Sequence, residues 1–228
     1  MDFSGSHILS IDQFDRGDVE ALFNIADKML PFAKRDRITK VLDGAILGSM
    51  FFEASTRTRI SFGSAFNLLG GSVRETTGFE HSAIAKGESL YDTARVLSGY
   101  SDVIVMRHPE NGSVQEFSKA SRVPVLNGGD GTNEHPSQAL LDLYTIKNVL
   151  AFRRRDIDRL RIAMVGDLKF GRTVHSLCKL LALFKDIRVV LVSPEELKMP
   201  ANLVEYLREQ GQVVIESDVL EESISNVD

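Results

Sequence analysis

Cysteine is nearly absent and tryptophan is missing: the 228 residues hold one Cys, Cys178, and no Trp. A single thiol closes no intrachain disulfide, which fits a reducing compartment. Its setting, His175-Ser176-Leu177-Cys178-Lys179-Leu180-Leu181, is that of a small buried hydrophobe rather than a nucleophile. Positive charge is not in excess either. Twenty-seven Lys and Arg stand against 32 Asp and Glu, a net charge of −5. That argues against a general grip on nucleic-acid backbone, so an anion site must gather its Arg and Lys locally. No run approaches the ~18 apolar residues of a membrane span. Met1 to Asp18 carries acidic residues and no apolar core, which speaks against a signal peptide. The five histidines (His7, His81, His108, His135, His175) lack the paired spacing of a zinc site. A cytoplasmic protein with no metal, no nucleic acid and no membrane partner is expected.

What is present is an alternation of short apolar runs and amphipathic segments. Helical spacing predicts a helix over Asp18–Lys34, with Val19, Leu22, Phe23, Ala26, Met29 and Leu30 on one stripe. Ala45–Glu53 is an almost continuous apolar run, the pattern of a strand buried on both faces. The spacing predicts a helix over Thr56–Leu69, stopped at Gly70-Gly71, then a strand at Val73–Thr77 and a helix over Glu88–Gly99. Further strands are expected at Asp102–Arg107 and Val123–Asn127, with a helix at Ser113–Ala120 between them. Gly128–Asn133 reads as a loop, leading into a long helix over Pro136–Leu150 with Pro in its first turn. A second series follows Arg153-Arg154-Arg155-Asp156, with strands at Arg161–Val165, Ile187–Val192 and Gln212–Ile215 and helices at Thr173–Phe184 and Asn202–Glu209. This is an α/β pattern of two doubly wound parallel-sheet domains, residues 1–150 and 151–228, joined by the helix 136–150. Ligands in such folds bind beyond the carboxyl ends of strands, and the polar clusters of this sequence fall there.

The richest cluster is Glu53-Ala54-Ser55-Thr56-Arg57-Thr58-Arg59, passing from strand end to helix start. A helix N-terminus offers unpaired N–H groups and a positive dipole end, and Arg adds a bidentate fork, so phosphate fits. An ordinary N-cap with surface arginines is the plainer alternative. Arg107 ends a strand, and His135 opens a helix with Gln138 on the same face. Arg and His can polarise a carbonyl oxygen and Gln can meet an amide, but spacing alone does not separate this from a capping His and a solvated Gln. Arg172, after Gly166-Asp167-Leu168-Lys169-Phe170-Gly171, suits a carboxylate as readily as it suits solvent. Lys86, in the loop Ser82–Glu88, reads as a surface lysine.

These segments, in this order, closely resemble the transcarbamoylase family, and within it the catalytic chains of aspartate carbamoyltransferase. The matching pieces are Phe52–Arg59, Lys86-Gly87-Glu88-Ser89, Val105–Pro109, His135–Asp142 and Gly166–Leu177. The resemblance implies that Ser55, Thr56, Arg57, Thr58 and Arg107 hold the phosphate of carbamoyl phosphate. It implies that Thr58, Arg107 and His135 polarise the carbamoyl C=O, Gln138 orients its NH2 and Arg172 binds a carboxylate of L-aspartate. Ser82 and Lys86 would reach into the site of a neighbouring subunit, making a homotrimer with shared active sites and leaving room for regulatory chains. The chemistry implied is attack of the aspartate amino group on the carbamoyl carbon, an early step of de novo pyrimidine biosynthesis, with no cofactor. The sequence stops at Asp228 where the family continues, so the second domain is expected to be incomplete and carbamoyl phosphate binding to outlast turnover.

Three other readings compete. Ornithine could replace aspartate as acceptor. A non-catalytic homologue would have lost Arg57, Arg107, His135 or Gln138, and all four stand in place. A nucleotide-binding α/β protein would need a Gly-rich phosphate loop, and Gly166–Arg172 lacks the G-x-G-x-x-G spacing.

Overall fold

The alternating runs fold into two separate parallel sheets, seen in a computed structural model that describes residues 2–77 and 87–228. Ser82 and Lys86 lie outside the described residues. Two compact units result: one comprises residues 2–13 and 17–136, the other residues 14–16 and 137–228. The first contains helix α1 (Arg16–Ala33, from Gly17 on), strand β1 (Ile46–Phe51), α2 (Thr56–Leu68), β2 (Ser72–Thr77), α3 (Leu90–Leu97), β3 (Val103–His108), α4 (Ser113–Ser118) and β4 (Val125–Asp130). Helix α5 (Pro136–Phe152) crosses the division, and from Ser137 onward it groups with the second unit.

The first sheet runs in the order β2-β1-β3-β4, all parallel. Alternation along its central strands explains why their sequences are apolar throughout. Leu47, Phe51 and Val105 pack against Phe62 and Phe66 of α2 on one face. Met50, Ile104 and Met106 pack against Ala94 of α3 and Val114 and Phe117 of α4 on the other. Each large side chain so enclosed contributes roughly 1.5–3 kcal/mol. On the outer side of β4, Ile8 bonds Val125 and Asn127 through the backbone and so covers that edge.

Boundaries differ from the sequence expectations where side chains intervene. Helix α3 begins at Leu90 rather than Glu88 because Ser89 is its N-cap, its hydroxyl oxygen accepting from Asp92 N at 3.0 Å. Strand β4 starts after Pro124, which has no N–H to give, and it continues through Gly128 and Gly129 to Asp130, a stretch expected to be loop. A register shift between Met106 and His108 accommodates that extension, and Asn127 Oδ1 accepts from Gly129 N at 2.8 Å.

The second unit holds a three-stranded parallel sheet, β5 (Arg161–Val165), β6 (Arg188–Val192) and β7 (Val213–Ser217), in sequential order. Helices α6 (Arg172–Leu181), α7 (Ala201–Glu209) and α8 (Leu220–Ile224) follow these strands in turn. Leu177, Cys178, Leu180 and Leu181 are buried along α6, and Leu203, Val204 and Leu207 along α7. Cys178 is fully buried, and burial pushes its thiol up to about 12, so it is the inert hydrophobe the sequence implied.

Candidate active site

The order β2-β1-β3-β4 creates a switch point. From β1 the chain first crosses to one side, then returns to lay β3 on the other, so the carboxyl ends of β1 and β3 diverge beside a crevice. The first candidate residues stand at that point. Phe51 is paired with Arg107, and Phe52 N donates to Arg107 O at 2.9 Å. The chain beyond Phe52 turns through Glu53 and Ala54 into α2.

At the start of α2, Ser55 occupies the N-cap position with extended backbone, φ −154° and ψ 110°, yet its side chain makes no cap hydrogen bond. The plainer reading of this motif, a conventional cap, is therefore not realised. The first turn contains no acidic residue and carries Arg57 and Arg59. Cations at the positive end of a helix dipole are disfavoured by roughly 0.3–1 kcal/mol each, the reverse of what helix stability selects. An anion bound there removes the conflict. Arg59 is committed elsewhere, its NH1 donating to Glu75 Oε2 at 2.9 Å. Arg57 is exposed, and Ser55 and Thr58 are half-buried.

Arg107 is aimed by its neighbours. Its Nε donates to Glu53 Oε2 at 3.1 Å and its NH1 approaches Gly128 O at 3.4 Å, with the side chain only 12% exposed. Those two bonds engage a minority of the five N–H donors of a guanidinium. His135 is buried, and its Nε2 lies 3.5 Å from Thr58 Oγ1. The structure thus brings Ser55, Thr56, Arg57, Thr58, Arg107 and His135 to one end of the first sheet.

A buried carboxylate that sequence reasoning missed holds this arrangement. Asp130, 2% exposed, accepts from Asn127 Nδ2 (3.1 Å) and Glu134 N (3.1 Å) on Oδ1, and from Gly112 N (2.9 Å) and Asn133 Nδ2 (3.0 Å) on Oδ2. It ties the loop after β3 to the segment entering His135. Gly131, at φ +53°, closes the turn where an added Cβ would come 2.0 Å from Asn111 Oδ1. A signal existed in Gly128-Gly129-Asp130-Gly131, an acid among glycines, but nothing in the spacing names its four donors.

In the second unit, Gln138 stands in the first turn of α5 and donates from Nε2 to Asp142 Oδ1 at 2.9 Å. Arg172 is the first residue of α6. The turn before it is pinned by Asp167 Oδ1, which accepts from Lys169 N (3.1 Å) and Phe170 N (2.9 Å), and by buried Leu168. Among the described residues, no group of three or more His, Cys, Asp or Glu could hold a metal ion, and no helix is long and apolar enough to cross a membrane.

Residues 6–148 match the family model of the aspartate/ornithine carbamoyltransferase carbamoyl-P binding domain. The aspartate carbamoyltransferase catalytic subunit of Saccharophagus degradans is 69% identical over all of this chain and 68% of its own length. The chain belongs to the aspartate carbamoyltransferase family. The corresponding subunit of Cellvibrio japonicus is 66% identical, again over the whole chain and 68% of its own length. Among solved structures, the catalytic subunit of M. jannaschii aspartate transcarbamoylase superposes with a TM-score of 0.91 at 43% identity, over 98% of this chain and 72% of that one. A complex of the Trypanosoma cruzi aspartate transcarbamoylase with carbamoyl phosphate and aspartate gives 0.90 at 41% identity, over 98% and 71%. The two-sheet α/β architecture is that of this family's catalytic chains.

Proposed function

We propose that this chain transfers the carbamoyl group of carbamoyl phosphate to the α-amino group of L-aspartate, giving N-carbamoyl-L-aspartate and phosphate in pyrimidine biosynthesis. One observation carries the reading: an uncapped, acid-free helix N-terminus bearing Arg57 stands beside Arg107 and His135 at the switch point of the first sheet.

In this reading the first unit holds carbamoyl phosphate. Ser55, Thr56, Arg57 and Thr58 receive the phosphate oxygens with their N–H, hydroxyl and guanidinium groups, and Arg107 reaches the same anion. Thr58, Arg107 and His135 donate to the carbamoyl oxygen, and Gln138 meets the NH2. The amine attacks the carbamoyl carbon, negative charge moves onto that oxygen, and the C–O bond to phosphate breaks as phosphate departs with the amine proton. Preorganised donors lower the barrier at the moment charge develops, and the fixed pose removes the entropy of encounter. The second unit supplies Arg172 for a carboxylate of aspartate, its planar fork matched to two oxygens. Ser82 and Lys86 serve the site of a neighbouring subunit in a cytoplasmic homotrimer, on which regulatory chains can assemble. Support for these assignments is the match of residues 6–148 to the carbamoyl-P binding domain and the 69% identity to an aspartate carbamoyltransferase catalytic subunit over the whole chain.

The test is carbamoyl transfer by the purified protein, with aspartate and ornithine offered in parallel and ureido products quantified. Carbamoylaspartate is the expected product. Citrulline would overturn the acceptor, and failure to bind carbamoyl phosphate in calorimetry would overturn the reading as a whole.

A further inference from the structure

We propose that Asp142 fixes the polarity of the Gln138 side chain and so makes the site select an acyl phosphate that bears an NH2 group; this rests on the carbamoyl-transfer reading above. A primary amide has two faces of nearly equal size: its oxygen only accepts and its nitrogen only donates. Which face meets a ligand is decided by what grips the other. Gln138 and Asp142 stand at i and i+4 on α5, where side chains meet on one helix face. Gln138 Nε2 donates to Asp142 Oδ1 at 2.9 Å. A carboxylate has no proton to give, so the pairing admits one orientation, with nitrogen toward Asp142 and Oε1 away from it. No described residue donates to that oxygen.

Oε1 is therefore an open acceptor that asks for a donor on the ligand. The carbamoyl group supplies one in its NH2. An acetyl group has almost the same shape and offers a methyl, which satisfies nothing. If Gln138 were free to flip, it would present NH2 against NH2 part of the time, and the preference for carbamoyl over acetyl would shrink. Both side chains are half-buried, where an unmatched polar group is penalised more than in open water. Asp142 acts only through Gln138 and is a positioning residue.

The experiment titrates wild-type protein, Asp142→Asn and Asp142→Leu with carbamoyl phosphate and with acetyl phosphate by calorimetry. Asn can serve Gln138 in either orientation, and Leu in neither. The ratio of carbamoyl to acetyl phosphate affinity should fall about 10-fold in Asp142→Leu and by a smaller factor in Asp142→Asn, the size of one lost hydrogen bond. Acetyl phosphate affinity itself should hold. A helix merely loosened by the substitutions weakens both ligands alike and leaves the ratio unmoved, and that outcome overturns the proposal. So does a wild-type protein with no preference between the two. Wild-type protein that binds neither of them nor inorganic phosphate overturns the parent reading instead.

Discussion

Arg57 and Arg59 sit on one turn of α2 and meet different fates. Arg59 pairs with Glu75, while Arg57 stays exposed at the helix start. Identical side chains two positions apart thus divide into one that ties α2 to β2 and one left exposed at the helix start. Arg57→Ala should leave urea stability unchanged and lower kcat by on the order of 10³, the scale of a transition-state donor. Near-normal saturation by carbamoyl phosphate in that variant would remove Arg57 from the site. Ser55→Ala makes a complementary case. A capping serine costs ~1 kcal/mol when lost, but Ser55 caps nothing. The expected result is a stability change within ~0.5 kcal/mol and phosphate affinity reduced by roughly 10-fold. A loss of stability with unchanged phosphate affinity would restore the plain capping role.

At the level of elements, the end of β3 carries a pH dependence. His108, 3% exposed, lies edge-on to Phe52 with ring centroids 5.7 Å apart, and its Nδ1 accepts from Glu110 N at 3.1 Å. Burial holds its pKa below the ordinary histidine value, outweighing the carboxylates of Glu110, Asp130 and Glu116. His7, whose Nδ1 accepts from Val125 N at 3.0 Å, is lowered by burial as well. A depressed folded pKa means the unfolded chain binds the proton more readily. The contribution is therefore complete above the unfolded value of ~6.5 and is lost as pH falls below it. Urea unfolding should show stability falling between pH 7.5 and 5.5, with a shallower fall in His108→Gln, whose amide oxygen can still accept from Glu110 N. An identical slope in that variant would exclude His108 as a source.

For the molecule as a whole, the proposed function assigns carbamoyl phosphate to the first unit and aspartate to the second, and hydrogen exchange tests that assignment. The first N–H groups of a helix have no intrahelical acceptor and exchange readily until something caps them. Inorganic phosphate should slow exchange at Thr56, Arg57 and Thr58 and in the segment from Asp130 to His135. Succinate, a dicarboxylate without an amine, should then add protection around Gly166–Arg172. Phosphate protection centred on the β5–α6 turn instead would reverse the assignment of the units.

The kind and order of the elements from α1 to β7 were written in the sequence, because helix and strand periodicity act over a few residues, whereas the five-residue α8 is too short to show a period. So were the strand-end clusters, the isolated and buried Cys178, and the motif order that marks the family. Tertiary structure alone decided which strand ends meet. Glu53 aims Arg107 across 54 positions, and Thr58 comes to His135 across 77. Those approaches depend on the β2-β1-β3-β4 order, which follows from how the crossovers bury their helices and not from any local preference. Asp130 could not be assigned for the same reason. Its donors come from Gly112, Asn127, Asn133 and Glu134, and only the fold assembles them around one carboxylate. The extension of β4 through its glycines was hidden because residues without side chains carry no hydrophobic pattern, and pairing with β3 makes them strand.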